Sequence, residues 1–126
     1  AEHAEVFAVE GDGAMIAALK SAADAMGGLR GVIAEKRDLF RTPVSALELK
    51  RYDAVVFDPP RSGAKLQAEQ IGRSKVSKVA AVSCDAVSFA RDAAVLIEAG
   101  FRLTQITPLD QFRFTPHLEI VGAFER

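Results

Sequence analysis

Short apolar runs alternate along this chain with longer segments in which apolar residues recur at helical spacing. The apolar runs predict strands over residues 6–9, 32–34, 53–57, 79–82, 101–107 and 118–124. The longer segments predict helices over residues 14–26, 43–50, 64–73 and 86–99. Because strands alternate with helices of about ten residues, we predict an α/β fold with a mostly parallel sheet covered on both faces. The last two strands have no helix between them, so they should pair antiparallel.

Polar residues stand at the carboxyl ends of the first four predicted strands. They are Glu10, the pair Arg37 and Asp38, Asp58, and Cys84. Since an open parallel sheet binds ligands at its carboxyl edge, we expect these positions to converge. Glu10 could accept hydrogen bonds from a nucleotide ribose, and Asp38 could accept one from an adenine amino group. Taken alone, each has a plainer interpretation, Glu10 as a solvated strand end and Asp38 as a helix cap.

The segment Asp58-Pro59-Pro60-Arg61 closes a buried strand with two consecutive prolines. The prolines fix the backbone and so hold Asp58 in one orientation at the ligand edge. The Arg61 guanidinium could bind a phosphate or a base, or simply pair with Asp58. A turn that merely ends a strand can use the same residues.

An acid, a thiol and a second acid follow one another along the chain as Asp58, Cys84 and Glu119. Cys84 precedes a helix that starts near Ala86, and the helix dipole there favours a thiolate. Strand alternation points His117 and Glu119 to the same face, where the carboxylate could act as a general base. This order suggests covalent catalysis on a planar heterocycle. The alternatives are a buried cysteine filler and an exposed strand glutamate.

The composition limits the number of domains and the cellular compartment, but it does not identify a ligand. The chain has 126 residues, 49% hydrophobic, which suits one domain, and its net charge of -1 gives no overall attraction to a polyanion. The single cysteine cannot form an internal disulfide, so a reducing, cytoplasmic compartment is expected. No apolar run approaches the roughly 18 residues that a membrane span needs. Neither His3 nor His117 has a partner at metal-ligand spacing, and we predict no metal.

Three ordered motifs together resemble those of the RNA 5-methyluridine methyltransferases, which use S-adenosylmethionine to modify transfer and ribosomal RNA. The resemblance extends over nearly the whole chain. The motifs are Asp58-Pro59-Pro60-Arg61-Ser62-Gly63, Val82-Ser83-Cys84, and the block from Asp110-Gln111-Phe112 to His117-Leu118-Glu119. The resemblance implies a Rossmann-like class I methyltransferase sheet with an antiparallel C-terminal strand.

The same resemblance implies a role for each candidate residue. Cys84 would add to carbon 6 of uridine, carbon 5 would take the methyl group, and Glu119 would remove the carbon 5 proton. Elimination of the thiol then restores the ring, which requires a nucleophile that also leaves well. The residues that would contact S-adenosylmethionine are Glu10, Asp38 and Asp58, and those that would contact RNA are Arg61 and His117. Asp85 and the pair Arg113-Phe114 depart from the family pattern, which usually has asparagine and a proline-containing pair there.

The family's first strand, its glycine-rich cofactor loop and its upstream RNA-binding regions have no counterpart before Ala1. We therefore expect residues 1–126 to be part of a catalytic domain, inactive alone. The missing strand belongs between the strand ending at Glu10 and the strand ending at Asp58. Its loss leaves two unpaired edges, which we expect to pair directly, to exchange elements with a second copy, or to drive self-association as a homodimer or larger assembly.

Two other functions remain open at this point. Asp-Pro-Pro segments also resemble those of enzymes that methylate adenine or guanine amino groups, and these need no cysteine. A non-catalytic fold that binds RNA or protein would instead use Cys84 as a core residue and leave Glu119 solvated.

Overall fold

A computed structural model of the chain describes residues 3–26, 28, 31–110 and 118–126. It divides into two compact units, Ala1–Pro43 and Val44–Arg126. Within the described residues, no helix combines the length and apolarity that crossing a bilayer requires.

The first unit is one strand-helix-strand repeat. β1 (Val6–Glu10) runs parallel to β2 (Val32–Lys36), and α1 (Gly13–Ala25) connects them. Asp12 caps α1, because its Oδ1 atom accepts hydrogen bonds from the backbone N–H groups of the first turn. This confirms the order that the apolar pattern predicted for this part of the chain.

The second unit is a four-stranded sheet with two α-helices. Its elements are β3 (Ala54–Phe57), α2 (Lys65–Arg73), β4 (Lys78–Ser83), α3 (Ala86–Glu98), β5 (Arg102–Leu109) and β6 (Glu119–Glu125). The strand order is β3-β4-β6-β5. β3 and β4 are parallel, whereas β6 is antiparallel to both of its neighbours. The predicted antiparallel closing pair is confirmed.

Large apolar side chains fill the space between this sheet and α3. Phe124 and Phe101 are almost fully buried, and the rings of Phe89 and Phe124 lie 6.4 Å apart between centroids. Gly122 lies under the Phe89 ring, where an added Cβ would come within 2.7 Å of a ring carbon. The close approach of α3 to β6 therefore requires glycine at position 122. This packing holds in place the helix α3, whose first turn follows Cys84.

The opposite face of the sheet carries an apolar side chain that is exposed. Val56 projects from it and is 72% exposed, and the described part of the second unit places no α-helix over it. The expectation that helices cover both faces is thus met on one face of this sheet.

The described strands form two separate sheets. β1 pairs with β2 alone, and β3 pairs with β4 alone, so each has one side without a partner strand among the described strands. Direct pairing of β1 with β3 is therefore not the arrangement adopted. Exchange with a second copy and self-association stay predictions.

The helix predicted over residues 43–50 is wrong. Only Glu48–Arg51 is helical, and it forms a 3₁₀ turn. The backbone of Val44 is instead bound by a side chain of α2. The Gln67 amide accepts a hydrogen bond from the Val44 N–H (2.9 Å) and donates one to the Val44 carbonyl (3.0 Å). A distant side chain thus takes the Val44 carbonyl, which would otherwise accept from a backbone N–H of the helix, and also satisfies the Val44 N–H.

Candidate active site

Cys84 and Glu119 lie at one end of two neighbouring antiparallel strands. β4 ends at Ser83, which is the register partner of Ile120 in β6. Cys84 is the next residue after Ser83, and Glu119 is the residue before Ile120. Both are half-buried. The structure therefore brings the predicted nucleophile and the predicted base to the same edge of the same sheet.

The backbone around Cys84 is held from both sides. The buried Ser83 hydroxyl accepts a hydrogen bond from the Asp85 N–H (3.1 Å) and donates one to the Asp85 carbonyl (3.0 Å). Asp85 in turn caps α3, because its Oδ1 atom accepts a hydrogen bond from the Ser88 N–H at 2.8 Å. Cys84 is thus presented on a short, fixed turn between a strand and a helix.

The carboxyl group of Asp85 is electrostatically stabilised in its ionised form. The hydrogen bond from the Ser88 backbone is the main reason that the pKa of Asp85 lies below its ordinary value, and the positive charge of Arg61 lowers it further. Arg61 belongs to the Asp-Pro-Pro-Arg loop, so the electrostatic field of that loop reaches the turn that carries Cys84.

Asp58 follows β3, the parallel neighbour of β4, and therefore stands at the same sheet edge as Cys84. It is exposed, and its carboxylate makes no hydrogen bond or ion pair with any residue the structure describes. The loop then turns back, because the Pro60 carbonyl accepts a hydrogen bond from the Gly63 N–H at 2.8 Å. Asp58 and Arg61 are both exposed on this loop.

In the first unit, Glu10 and Asp38 stand at the carboxyl ends of β1 and β2. One carboxylate oxygen of Glu10 accepts a hydrogen bond from the Asp12 N–H at 2.9 Å. One oxygen of Asp38 accepts a hydrogen bond from the Phe40 N–H at 3.0 Å. Both residues are exposed, and each keeps a second oxygen outside these turns. The pair therefore fits groups that donate hydrogen bonds, such as ribose hydroxyls or an adenine amino group.

Sequence reasoning missed several residues that shape this site. The sequence motifs contain Ser83 and Asp85 but predict for neither a role in holding Cys84. Asp92, in the middle of α3, belongs to no motif, although its Oδ2 atom accepts a hydrogen bond from the Ala64 N–H at 2.5 Å. The preference of aspartate for helix N-caps could have identified Asp85. No local signal marks Asp92, because its partner lies 28 residues away in sequence.

Two predictions about the site lie partly beyond the structure. His117 falls outside the described residues, so its suggested contact with RNA stays a prediction. Over the described ranges, no group of three or more His, Cys, Asp or Glu side chains is arranged to hold a metal ion.

Parallel strands with the candidate residues at their carboxyl ends, closed by one antiparallel strand, are the architecture of an α/β methyltransferase. The structure is similar to the tRNA (uracil-54, C5)-methyltransferase of Pyrococcus abyssi, solved in complex with S-adenosyl-L-homocysteine, with a TM-score of 0.82 and 28% identity. That match covers 97% of this chain and 29% of the other. A methyltransferase-like structure from Thermoplasma acidophilum shows the same fold at a TM-score of 0.66.

Residues 15–125 match the sequence model of the tRNA (uracil-5-)-methyltransferase family, and the chain belongs to that family. An uncharacterized RNA methyltransferase of Rhizobium meliloti is 53% identical over all 126 residues. A 23S rRNA (uracil(1939)-C(5))-methyltransferase of Hahella chejuensis is 40% identical over 78 residues, which are 62% of this chain and 18% of that protein. The chain spans about 30% of the length of the Rhizobium relative.

Proposed function

We propose that this chain is the part of an RNA methyltransferase catalytic domain that carries the nucleophile and the base. The complete enzyme uses S-adenosylmethionine to methylate carbon 5 of uridine in transfer or ribosomal RNA. The observation that carries the proposal is the placement of Cys84 and Glu119 at adjacent strand ends. Family membership and the coverage of about 30% of the Rhizobium relative support the view that residues 1–126 are a partial domain.

The chemistry assigned to these residues balances as an addition and an elimination. The Cys84 sulfur forms a bond to carbon 6 of uridine, and the electron pair of the ring double bond moves so that carbon 5 becomes nucleophilic. S-adenosylmethionine, when bound, supplies an electrophilic methyl group to that carbon. Glu119 then accepts the proton of carbon 5, and its bonding electrons restore the ring double bond as the carbon-sulfur bond breaks.

The other candidate residues bind and orient. Glu10 and Asp38 each keep an open carboxylate oxygen that suits the ribose hydroxyls and the adenine amino group of the cofactor. The Asp58 carboxylate makes no hydrogen bond or ion pair with the described residues, which leaves it available to the same ligand. For Arg61 and His117 we propose contact with RNA, because a guanidinium and an imidazole suit phosphates and bases.

Product analysis tests the proposal directly. The full-length protein is incubated with S-adenosylmethionine and unmodified transfer or ribosomal RNA, and the nucleosides are identified by mass spectrometry. We expect 5-methyluridine with the wild type and none with Cys84→Ala. Methylation of an amino group that survives Cys84→Ala would support the amino-methylating alternative. RNA binding without any methylated product would support a non-catalytic fold.

The isolated chain is expected to be inactive and to self-associate in the cytoplasmic conditions that we propose for the enzyme. β1 and β3 each have one side without a partner strand among the described strands, and such edges pair with other chains. Light scattering of the isolated chain should show a mass above 13.5 kDa. A single monomeric species over a wide concentration range would contradict exchange and self-association.

A further inference from the structure

Asp92 is a buried carboxylate that takes part in none of the catalytic or binding roles proposed above. It lies in the middle of α3 and is 4% exposed. Its Oδ2 atom accepts the hydrogen bond from the Ala64 N–H, and its Oδ1 atom accepts hydrogen bonds from Nε (3.0 Å) and Nη2 (2.8 Å) of Arg91. A buried carboxylate is costly unless its charge is compensated. Here the adjacent Arg91 guanidinium and a backbone N–H compensate it together.

Arg91 also contacts the loop that carries Asp58 and Arg61. Its Nη2 atom donates a hydrogen bond to the Ser62 carbonyl at 2.8 Å, while Asp92 accepts one from Ala64. The two α3 residues therefore hold the backbone on both sides of Gly63.

Gly63 brings the loop directly against α3. Its φ angle is +75°, and it is buried. A Cβ added there would lie 2.7 Å from Asp92 Oδ2 and 3.0 Å from Ser88 Cβ, and it would also clash with Arg91 Nη2. Only glycine tolerates both this backbone conformation and this proximity to α3. The loop therefore packs against the helix in one position.

The contact also completes the start of α2. Ala64 is the N-cap of α2 and has no side chain that could accept a hydrogen bond from the first turn. Asp92 places a negative charge at this helix N-terminus from another element, and such a charge interacts favourably with the helix dipole.

One helix thus positions two separate parts of the candidate site. The first turn of α3, through Asp85 and Ser88, holds the backbone around Cys84. About two turns later, roughly 10 Å along the axis, Arg91 and Asp92 hold the loop of Asp58. The nucleophile and the loop therefore share a single rigid support.

We infer that Arg91 and Asp92 are positioning residues, which fix the loop of Asp58 and Arg61 relative to Cys84. The inference rests on the proposed function, because Asp58 is assigned to the cofactor only there. Neither residue touches the reacting atoms. If Arg91 and Asp92 only stabilised the fold, substituting them would lower the melting temperature without a selective effect on cofactor binding. Calorimetry can measure this difference.

The test uses the full-length protein and S-adenosylhomocysteine as the probe. Asp92→Asn keeps an acceptor for the Ala64 N–H but loses the charge that pairs with Arg91, and Arg91→Lys loses the two-pronged contact. We expect both to raise the Kd for S-adenosylhomocysteine about tenfold in calorimetry, since a displaced Asp58 carboxylate loses its contact. Hydrogen exchange should accelerate in residues 58–65, and the rate of Cys84 alkylation should stay within about twofold.

Arg126→Ala is the matched control. Arg126 holds the opposite ends of the same two helices by donating to the carbonyls of Gly72 and Ala99. It should lower the melting temperature without changing the Kd. A Kd within about twofold of the wild type in both Asp92→Asn and Arg91→Lys would overturn the inference, as would an equal rise in Arg126→Ala. A wild type that does not bind S-adenosylhomocysteine would overturn the proposed function and this inference with it.

Discussion

The Arg126 guanidinium lies 4.1 Å from the centroid of the Phe101 ring, stacked over one of the most deeply buried side chains of the second unit. The same guanidinium donates hydrogen bonds to five backbone carbonyls, those of Ile71, Gly72, Ser74, Val76 and Ala99. It therefore satisfies groups at the carboxyl ends of both α2 and α3, which lie away from Cys84. The carboxyl ends of the two helices are tied together by Arg126, and the start of α2 is tied to the middle of α3 by Asp92.

We expect Arg126→Lys to destabilise the second unit by about 2 kcal/mol, because one ammonium cannot reproduce a planar group with five donors. Urea unfolding followed by circular dichroism measures this change. Arg102→Lys, at the exposed start of β5, is the control and should stay within about 0.5 kcal/mol of the wild type. If Arg126→Lys is as stable as this control, the multiple hydrogen bonds contribute little.

Gly63→Ala and Gly100→Ala form a matched pair. Both glycines have positive φ angles, +75° and +95°, but an added Cβ at Gly100 would meet no atom within 4 Å. We expect Gly100→Ala to cost about 1 kcal/mol for the backbone conformation alone. Gly63→Ala should cost at least about 1 kcal/mol more, because it also displaces Arg91 or Asp92. Equal losses in denaturant unfolding would mean that the loop does not press on α3 as described.

Glu119→Gln should trap the enzyme after methyl transfer. Without a carboxylate to take the carbon 5 proton, the Cys84 sulfur cannot be eliminated, and a covalent RNA adduct should accumulate. A denaturing gel of the full-length variant with S-adenosylmethionine and RNA detects it. The double variant Cys84→Ser and Glu119→Gln should give no adduct. Turnover by Glu119→Gln at the wild-type rate would remove Glu119 from the mechanism.

Asp85 should contribute to the acid sensitivity of the fold. The Ser88 N–H, and secondarily Arg61, hold the pKa of Asp85 below its ordinary value of 3.8. The folded-state pKa is thus lower than that of the unfolded chain, so the stabilisation is complete above about pH 4 and is lost as the pH falls through the folded-state value. Melting temperatures of Asp85→Asn should depend less steeply on pH below about 4 than those of the wild type. Parallel curves would contradict this assignment.

The order of strands and helices could be predicted from the sequence because apolar periodicity is local. The expectation of a further strand between β1 and β3 rests on the family resemblance rather than on the order of elements, and it stays a prediction. The edge positions of Asp58 and Cys84 needed no further information, since parallel strands end at a common edge.

The errors and omissions involve contacts between residues distant in sequence. The helix over residues 43–50 does not form, and the Val44 carbonyl, which such a helix would use, accepts a hydrogen bond from Gln67 of another element. Asp92 has the pattern of any solvated helix aspartate until the fold brings Ala64 and Arg91 to it. Periodicity and short motifs contain no record of such pairs, so only the structure could reveal them.

The most direct test of the central claim is covalent trapping at Cys84. The full-length protein is incubated with S-adenosylmethionine and an RNA that contains 5-fluorouridine, in which the carbon 5 substituent cannot be removed as a proton. The proposed mechanism predicts a stable protein-RNA adduct that mass spectrometry maps to the Cys84 peptide and that Cys84→Ala abolishes. Absence of an adduct in a protein that still methylates uridine at carbon 5, or an adduct that survives Cys84→Ala, would contradict it.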